Sequence, residues 1–203
     1  MKKKLLLMFL VSIPVVIILI VILFRVKVEP TNEEIINSLK NIGAYETNIE
    51  IVIKNSRDEE RQELKEYYLK DKGGRIDFGD ERTKIYSDNK ILVKDSISNK
   101  EYYIKEEMDD LYSLTFLNNL LNYPINSEDL KEAQEEWGET EYLEFTNELF
   151  LKNDNVDKVR VFIDKQQAIP IGAIIYDKNN KDRVRILYKD FIKLKELDEN
   201  LLK

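Results

Sequence analysis

Near the end of the chain Val184, Ile186 and Tyr188 alternate with Arg183, Arg185 and Lys189. A period of two belongs to a strand with one buried and one wet face, and it excludes a helix over the same residues. The pattern recurs in Val159, Val161 and Ile163 against Lys158, Arg160 and Phe162, and in Thr47, Ile49, Ile51 and Ile53 against Asn48, Glu50, Val52 and Lys54. Turn formers separate such segments at Asp71-Lys72-Gly73-Gly74, Asp88-Asn89, Ser98-Asn99, Asn153-Asp154-Asn155, Gln166-Gln167 and Asn179-Asn180. Connections this short make consecutive strands pair antiparallel. Strands are predicted over 47–54, 62–70, 75–78, 83–87, 91–95 and 101–104, then around Leu143 and Phe145, and over 158–163, 168–176 and 183–189. The sum is a meander of about eight to ten strands. Pro170 cannot donate to a ladder, so it belongs at a strand start, a bulge or an edge.

Two stretches keep the helical period instead. Thr31 and Glu34 have capping-box spacing, Ile35, Ile36 and Leu39 form an apolar stripe, and Gly43 is a suitable stop. In the middle, Asp109 and Asp110 open a leucine-rich helix through Leu111, Leu114, Leu117, Leu120 and Leu121, which Tyr123-Pro124 ends. Ser127 to Glu136 reads as a further short helix, halted near Gly138. The predicted class is α+β: a long antiparallel sheet with two or three helices covering one face.

Ahead of this domain stand Lys2, Lys3 and Lys4 and an unbroken apolar run, Leu5 to Phe24, in which 17 residues are Leu, Ile, Val or Phe. At ~1.5 Å per residue the run matches the roughly 30 Å of a bilayer core. The basic end stays cytoplasmic. The run exits through Leu23-Phe24-Arg25-Val26-Lys27, without the small residues of a cleavage site, which favours a retained single-span anchor over a cleaved signal. The predicted organisation is therefore residues 1–27 as cytoplasmic end and transmembrane helix, and residues 28–203 as one extracytoplasmic domain held at the cell membrane.

Composition narrows the chemistry. The outer part carries all 39 acidic residues against 27 of the 32 basic ones, a balance that argues against nucleic acid. With no cysteine, no disulfide framework holds the domain. With no histidine either, Ser-His-Asp and Cys-His catalysis and imidazole or thiolate zinc sites are excluded. No nucleotide-binding glycine motif occurs, and no cofactor or metal is expected. The acidic runs Asp58-Glu59-Glu60, Glu106-Glu107 and Glu135-Glu136 read as solvated faces, and the domain as non-catalytic. Asp177 to Asp182 resembles a calcium loop only superficially, since Asp182 stands where glycine is needed, so a hairpin turn is expected there. Tyr102 and Tyr103 point to opposite faces of their strand, so one of the two is expected in solvent. Trp137 and Tyr142 flank Gly138 in an acidic stretch: they either anchor a partner interface or pack the central helix against the sheet.

Two groups of hairpins carry a family resemblance. One is Tyr67-Tyr68-Leu69-Lys70, Arg75-Ile76-Asp77-Phe78 and Lys84-Ile85-Tyr86-Ser87-Asp88-Asn89-Lys90. The other is Val161-Phe162-Ile163-Asp164, Ile169-Pro170, Ile175-Tyr176-Asp177-Lys178-Asn179 and Val184-Arg185-Ile186-Leu187-Tyr188-Lys189-Asp190-Phe191. With the helix positions, they resemble the LolA/LolB-like half-barrel family over roughly Ile35 to Leu197, and within it the Gram-positive germination lipoproteins of the GerS kind. These motifs mark hairpins rather than chemistry. The resemblance implies a curved sheet with its helices on the concave face. It also implies one of two roles: a non-catalytic partner of a spore-cortex amidase of the CwlD type, or a binder of lipid or lipoprotein anchors. The sequence departs from the lipoproteins in having no cysteine to carry lipid, so residues 5–24 would do the tethering. A spanning helix does not suit a shuttling carrier, which favours the first role, with a sheet edge as the means of contact to a partner or to a second copy in a homodimer.

Overall fold

The computed structural model describes Pro14 and residues 30–55, 57–87, 89–135, 138–151, 153 and 155–203. Apart from Pro14, the predicted anchor over residues 5–24 lies outside the described residues. Among the described residues no helix is long and apolar enough to cross a membrane. The chain divides into two compact units, Met1–Thr31 and Asn32–Lys203. Helix α1 (Asn32–Lys40) opens the second unit, followed by β1 (Ala44–Lys54), β2 (Glu59–Leu69), β3 (Gly73–Phe78), β4 (Arg82–Ser87), β5 (Lys90–Asp95) and β6 (Lys100–Lys105). A crossover then carries the short helices α2 (Asp110–Ser113) and α3 (Leu117–Leu121). It leads to β7 (Lys131–Glu135), β8 (Gly138–Glu148), β9 (Lys158–Asp164), β10 (Ile169–Tyr176) and β11 (Asp182–Leu194).

The strands form one 11-stranded sheet in the order β6-β5-β4-β3-β2-β1-β11-β10-β9-β8-β7. All neighbours are antiparallel. Each half is a meander, and the first and last strands join the halves at the centre, Ile49 opposite Tyr188 and Ile53 opposite Val184. Thr47 marks a bulge in that junction, where its Oγ1 donates to the Lys189 carbonyl at 2.9 Å. Pro170 sits at a second irregularity, between β10 and β9, as a residue without an N–H must.

Because β6 and β7 are the two edges, the crossover has to travel the width of the sheet. It does so over one face, here the inner face. Ile35, Ile36 and Leu39 of α1 and Leu114, Phe116, Leu117, Leu120 and Leu121 of the crossover pack there on Tyr45, Ile49, Ile76, Phe145, Val161, Ile175 and Ile186. Gly74 makes room for the closest approach: a Cβ on it would lie 2.2 Å from the Phe116 ring.

Two expectations are corrected. The central leucine segment is not one helix, because Phe116 is extended (φ −67°, ψ 119°) and separates α2 from α3. The short helix expected over Ser127 to Glu136 is replaced, as far as Glu135, by a 3-10 turn at Ser127–Asp129 and then β7, which pairs with β8 and adds a strand to the predicted meander; Glu136 lies outside the described residues.

Candidate functional site

Glu66 lies on the inner face of β2 between Leu64 and Tyr68, fully buried beneath the crossover. Tyr45 Oη donates to its Oε1 at 2.8 Å and itself accepts the Leu117 N–H at 3.1 Å. Thr115 Oγ1 stands 2.6 Å from Glu66 Oε2 and 2.8 Å from the Tyr112 carbonyl, yet a hydroxyl has a single proton to give. The ionised carboxylate accepts from Thr115 Oγ1; when Glu66 is protonated its O–H can donate to Thr115 Oγ1 instead, leaving the Thr115 proton for the Tyr112 carbonyl. Burial, opposed by the Thr115 and Tyr45 hydrogen bonds, raises the carboxyl to about 7. Burial, with the Glu66 charge next, also holds the Tyr45 and Tyr188 phenols well above their ordinary value, so both stay donors. Tyr188 uses its proton on the Thr115 carbonyl at 2.7 Å. These bonds draw Thr115 and Leu117 out of helical pairing, which is why the leucine segment breaks between α2 and α3.

A second clamp holds the start of the crossover. Asp109 accepts from Lys84 Nζ at 2.6 Å and from Tyr86 Oη at 2.5 Å. The Lys84 ammonium is enclosed by the Phe78 and Tyr112 rings, 5.0 and 4.3 Å to their centroids. The clefts beside the crossover are small and mixed in lining, with Tyr68 and Phe116 in the first and Leu114, Tyr123 and Leu151 in the second. One of about 200 Å³ is lined by Tyr86, Ser87, Lys90, Glu106 and Asn119, and one of about 380 Å³ by Glu106, Glu107, Asp110 and Asn122. Beneath it Leu117 and Leu120 are fully buried against the inner face.

The β6 edge is built differently. Tyr102 is 45 % and Tyr103 69 % exposed, so both reach solvent where only one was expected. Ile97 in the preceding turn and Met108 just after the strand are exposed as well. Tyr102 lies on the inner face opposite Val93, and Tyr103 on the outer face opposite Leu92. On the far side of the sheet Tyr142 is 2 % exposed and packs with Phe162 and Ile174 on the outer face, away from the crossover. Trp137 lies outside the described residues. Asp177 caps a hairpin, accepting from Asn179 N, Lys181 N and Arg183 Nε. Among the described residues no group of three metal-ligating side chains occurs. Glu66 was missed in the sequence, although its spacing of two from Leu64 and Tyr68 already places a carboxyl on the inner face.

The fold is a long open antiparallel sheet with its first and last strands paired at the centre and one face covered by α1 and a helical crossover, consistent with the half-barrel that the LolA-like resemblance implies. Residues 2–202 match the sporulation protein YdcC-like family, and the chain belongs to it. No curated protein matches the sequence. An uncharacterized conserved protein of Thermus thermophilus has a similar structure, with TM-score 0.51, 10 % identity, and 84 % of this chain and 92 % of that chain covered. A LolA superfamily protein of Nitrosomonas europaea aligns with TM-score 0.41 at 11 % identity, covering 86 % of this chain and 98 % of that one. A chain in the structure of the CwlD amidase from Clostridioides difficile in complex with the GerS lipoprotein aligns with TM-score 0.41 at 15 % identity, covering 85 % and 98 %.

Proposed function

We propose that this chain is a non-catalytic, membrane-anchored binding protein that supports a cell-wall amidase of the CwlD type on the outer side of the membrane during sporulation or germination. The observation that carries this reading is the occupied inner face. With Leu117 and Leu120 fully buried against the sheet, the chain's own side chains cover the inner face, which supports binding at the surface and edges of the sheet. Membership of a sporulation family supports the setting, and the predicted anchor over residues 5–24 supports the address. The amidase itself is carried over from the GerS resemblance. The test is capture of the full chain from sporulating cells, with mass spectrometry of co-purified proteins and lipids, followed by an amidase assay on cortex peptidoglycan. An amidase should co-purify and gain activity when the purified chain is added. Recovery of stoichiometric lipid with no amidase would replace this function by the lipid-binding one.

A further inference from the structure

We propose that the β6 edge is a two-fold interface between two copies of this chain, centred on Tyr103. The direction of its hydrogen-bonding groups can be counted from the sheet. Ser96 donates its N–H to the Glu81 carbonyl at 2.9 Å, extending the β5–β4 ladder, so the even-numbered residues of β5 bond toward β4 and the odd-numbered ones toward β6. Ile91, Val93 and Asp95 therefore bond to Ile104, Tyr102 and Lys100. That leaves Glu101, Tyr103 and Lys105 with N–H and C=O turned outward, away from the sheet. Their side chains share the outer face, while Lys100, Tyr102 and Ile104 share the inner one.

An antiparallel second copy that keeps inner and outer faces aligned can approach in registers that differ by two residues. With Tyr103 opposite its own copy, Glu101 faces the second copy's Lys105 on the outer face. On the inner face Tyr102 meets Ile104, and Lys100 reaches Glu106. Both rows are then complementary: an aromatic pair between two ion pairs outside, an aromatic–aliphatic pair beside a further ion pair inside. The same alignment brings the exposed Met108 toward the second copy's exposed Ile97. Centring on Tyr102 sets Lys100 against Ile104 and Glu101 against Tyr103, and centring on Ile104 sets Glu101 against Glu107. Charges on an edge strand ordinarily deter pairing; here they leave one register favourable, and it matches a second copy of the same strand. The result joins two 11-stranded sheets into one. This interface does not depend on which enzyme is the partner.

The chain has no cysteine, so an introduced one reports its own position. Across the proposed axis the two Tyr103 Cα atoms would lie about 5.5 Å apart, within disulfide reach, whereas the two Glu101 Cα atoms would be about 14 Å apart. Under mild oxidation the full-length Tyr103→Cys chain should form covalent dimer about tenfold faster, or more, than Glu101→Cys. Equal rates overturn the proposal. A second arm avoids reliance on Tyr103. By sedimentation, Glu101→Lys should weaken self-association about tenfold and the added Lys105→Glu should restore it. A monomeric wild type, or a double variant that fails to recover, overturns the proposal equally.

Discussion

The hexapeptide Lys65-Glu66-Tyr67-Tyr68-Leu69-Lys70 and the hexapeptide Lys100-Glu101-Tyr102-Tyr103-Ile104-Lys105 are nearly the same sequence in opposite circumstances. In β2 the glutamate is on the inner face, sealed under Thr115, and Tyr68 stacks on Tyr45 with ring centroids 5.2 Å apart. In β6 the faces are reversed: Glu101 is on the outer face with its side chain 65 % exposed, and both tyrosines reach water. The pair teaches that position decides the role. A strand beside β1 at the centre, roofed by the crossover, turns Lys-Glu-Tyr-Tyr into structural cement, and an edge strand leaves the same residues for recognition.

The comparison can be broken most forcefully by releasing the roof. Asp109→Ala would leave the Lys84 ammonium buried between Phe78 and Tyr112 with no counter-charge, and the Tyr86 hydroxyl without its acceptor. Loss of one partner of a buried pair costs about 3–5 kcal/mol, to be read from urea unfolding. A loss below about 1 kcal/mol would mean that the crossover is held elsewhere.

The next effect sharpens the contrast by pH. Glu66 is raised from 4.5 to about 7 when folded, so the native state holds a proton that the unfolded chain gives up earlier. Its contribution is fully present below about pH 4.5 and is lost as pH rises through about 7, a span of about 3 kcal/mol. Glu66→Gln keeps an acceptor for Tyr45 and a donor for Thr115 without titrating. The variant and the wild type should differ least near pH 4.5, with the variant gaining relative stability toward pH 8. Parallel stability curves across that range would refute a neutral Glu66. The smallest effect belongs to the edge: Tyr103→Ser should change monomer unfolding by less than about 0.5 kcal/mol, since that side chain touches little of its own fold. A larger loss would show that β6 is cement too.

Most of the sheet was legible because alternation and turn residues are local signals. The strands from Val159 to Tyr188 follow the pattern of one wet and one dry face, and Asp177 organises the expected hairpin. What was illegible depends on distant partners. The leucine spacing from Leu111 to Leu121 is helical, but the Tyr45 hydroxyl, 72 residues from Leu117, takes the amide that would have continued the helix. β7 has little apolar alternation of its own and becomes a strand through pairing with β8. Of the candidate surface, only the exposure of a tyrosine at 102 or 103 could be read in advance. That β6 is an edge follows from topology, which spacing along the chain does not encode. Tyr142, aromatic in an acidic stretch, packs edge-on against Phe162.

The central junction has a consequence for how the molecule comes into being. Thr47 and Lys189, bonded to each other, are separated by 142 positions, so the middle seam of the sheet closes only after β11 has emerged. Until then the first meander presents β1 as a raw inner margin. A chain stalled or clipped before its final strand would be a half-sheet with an unsealed flank, prone to sticking to its neighbours.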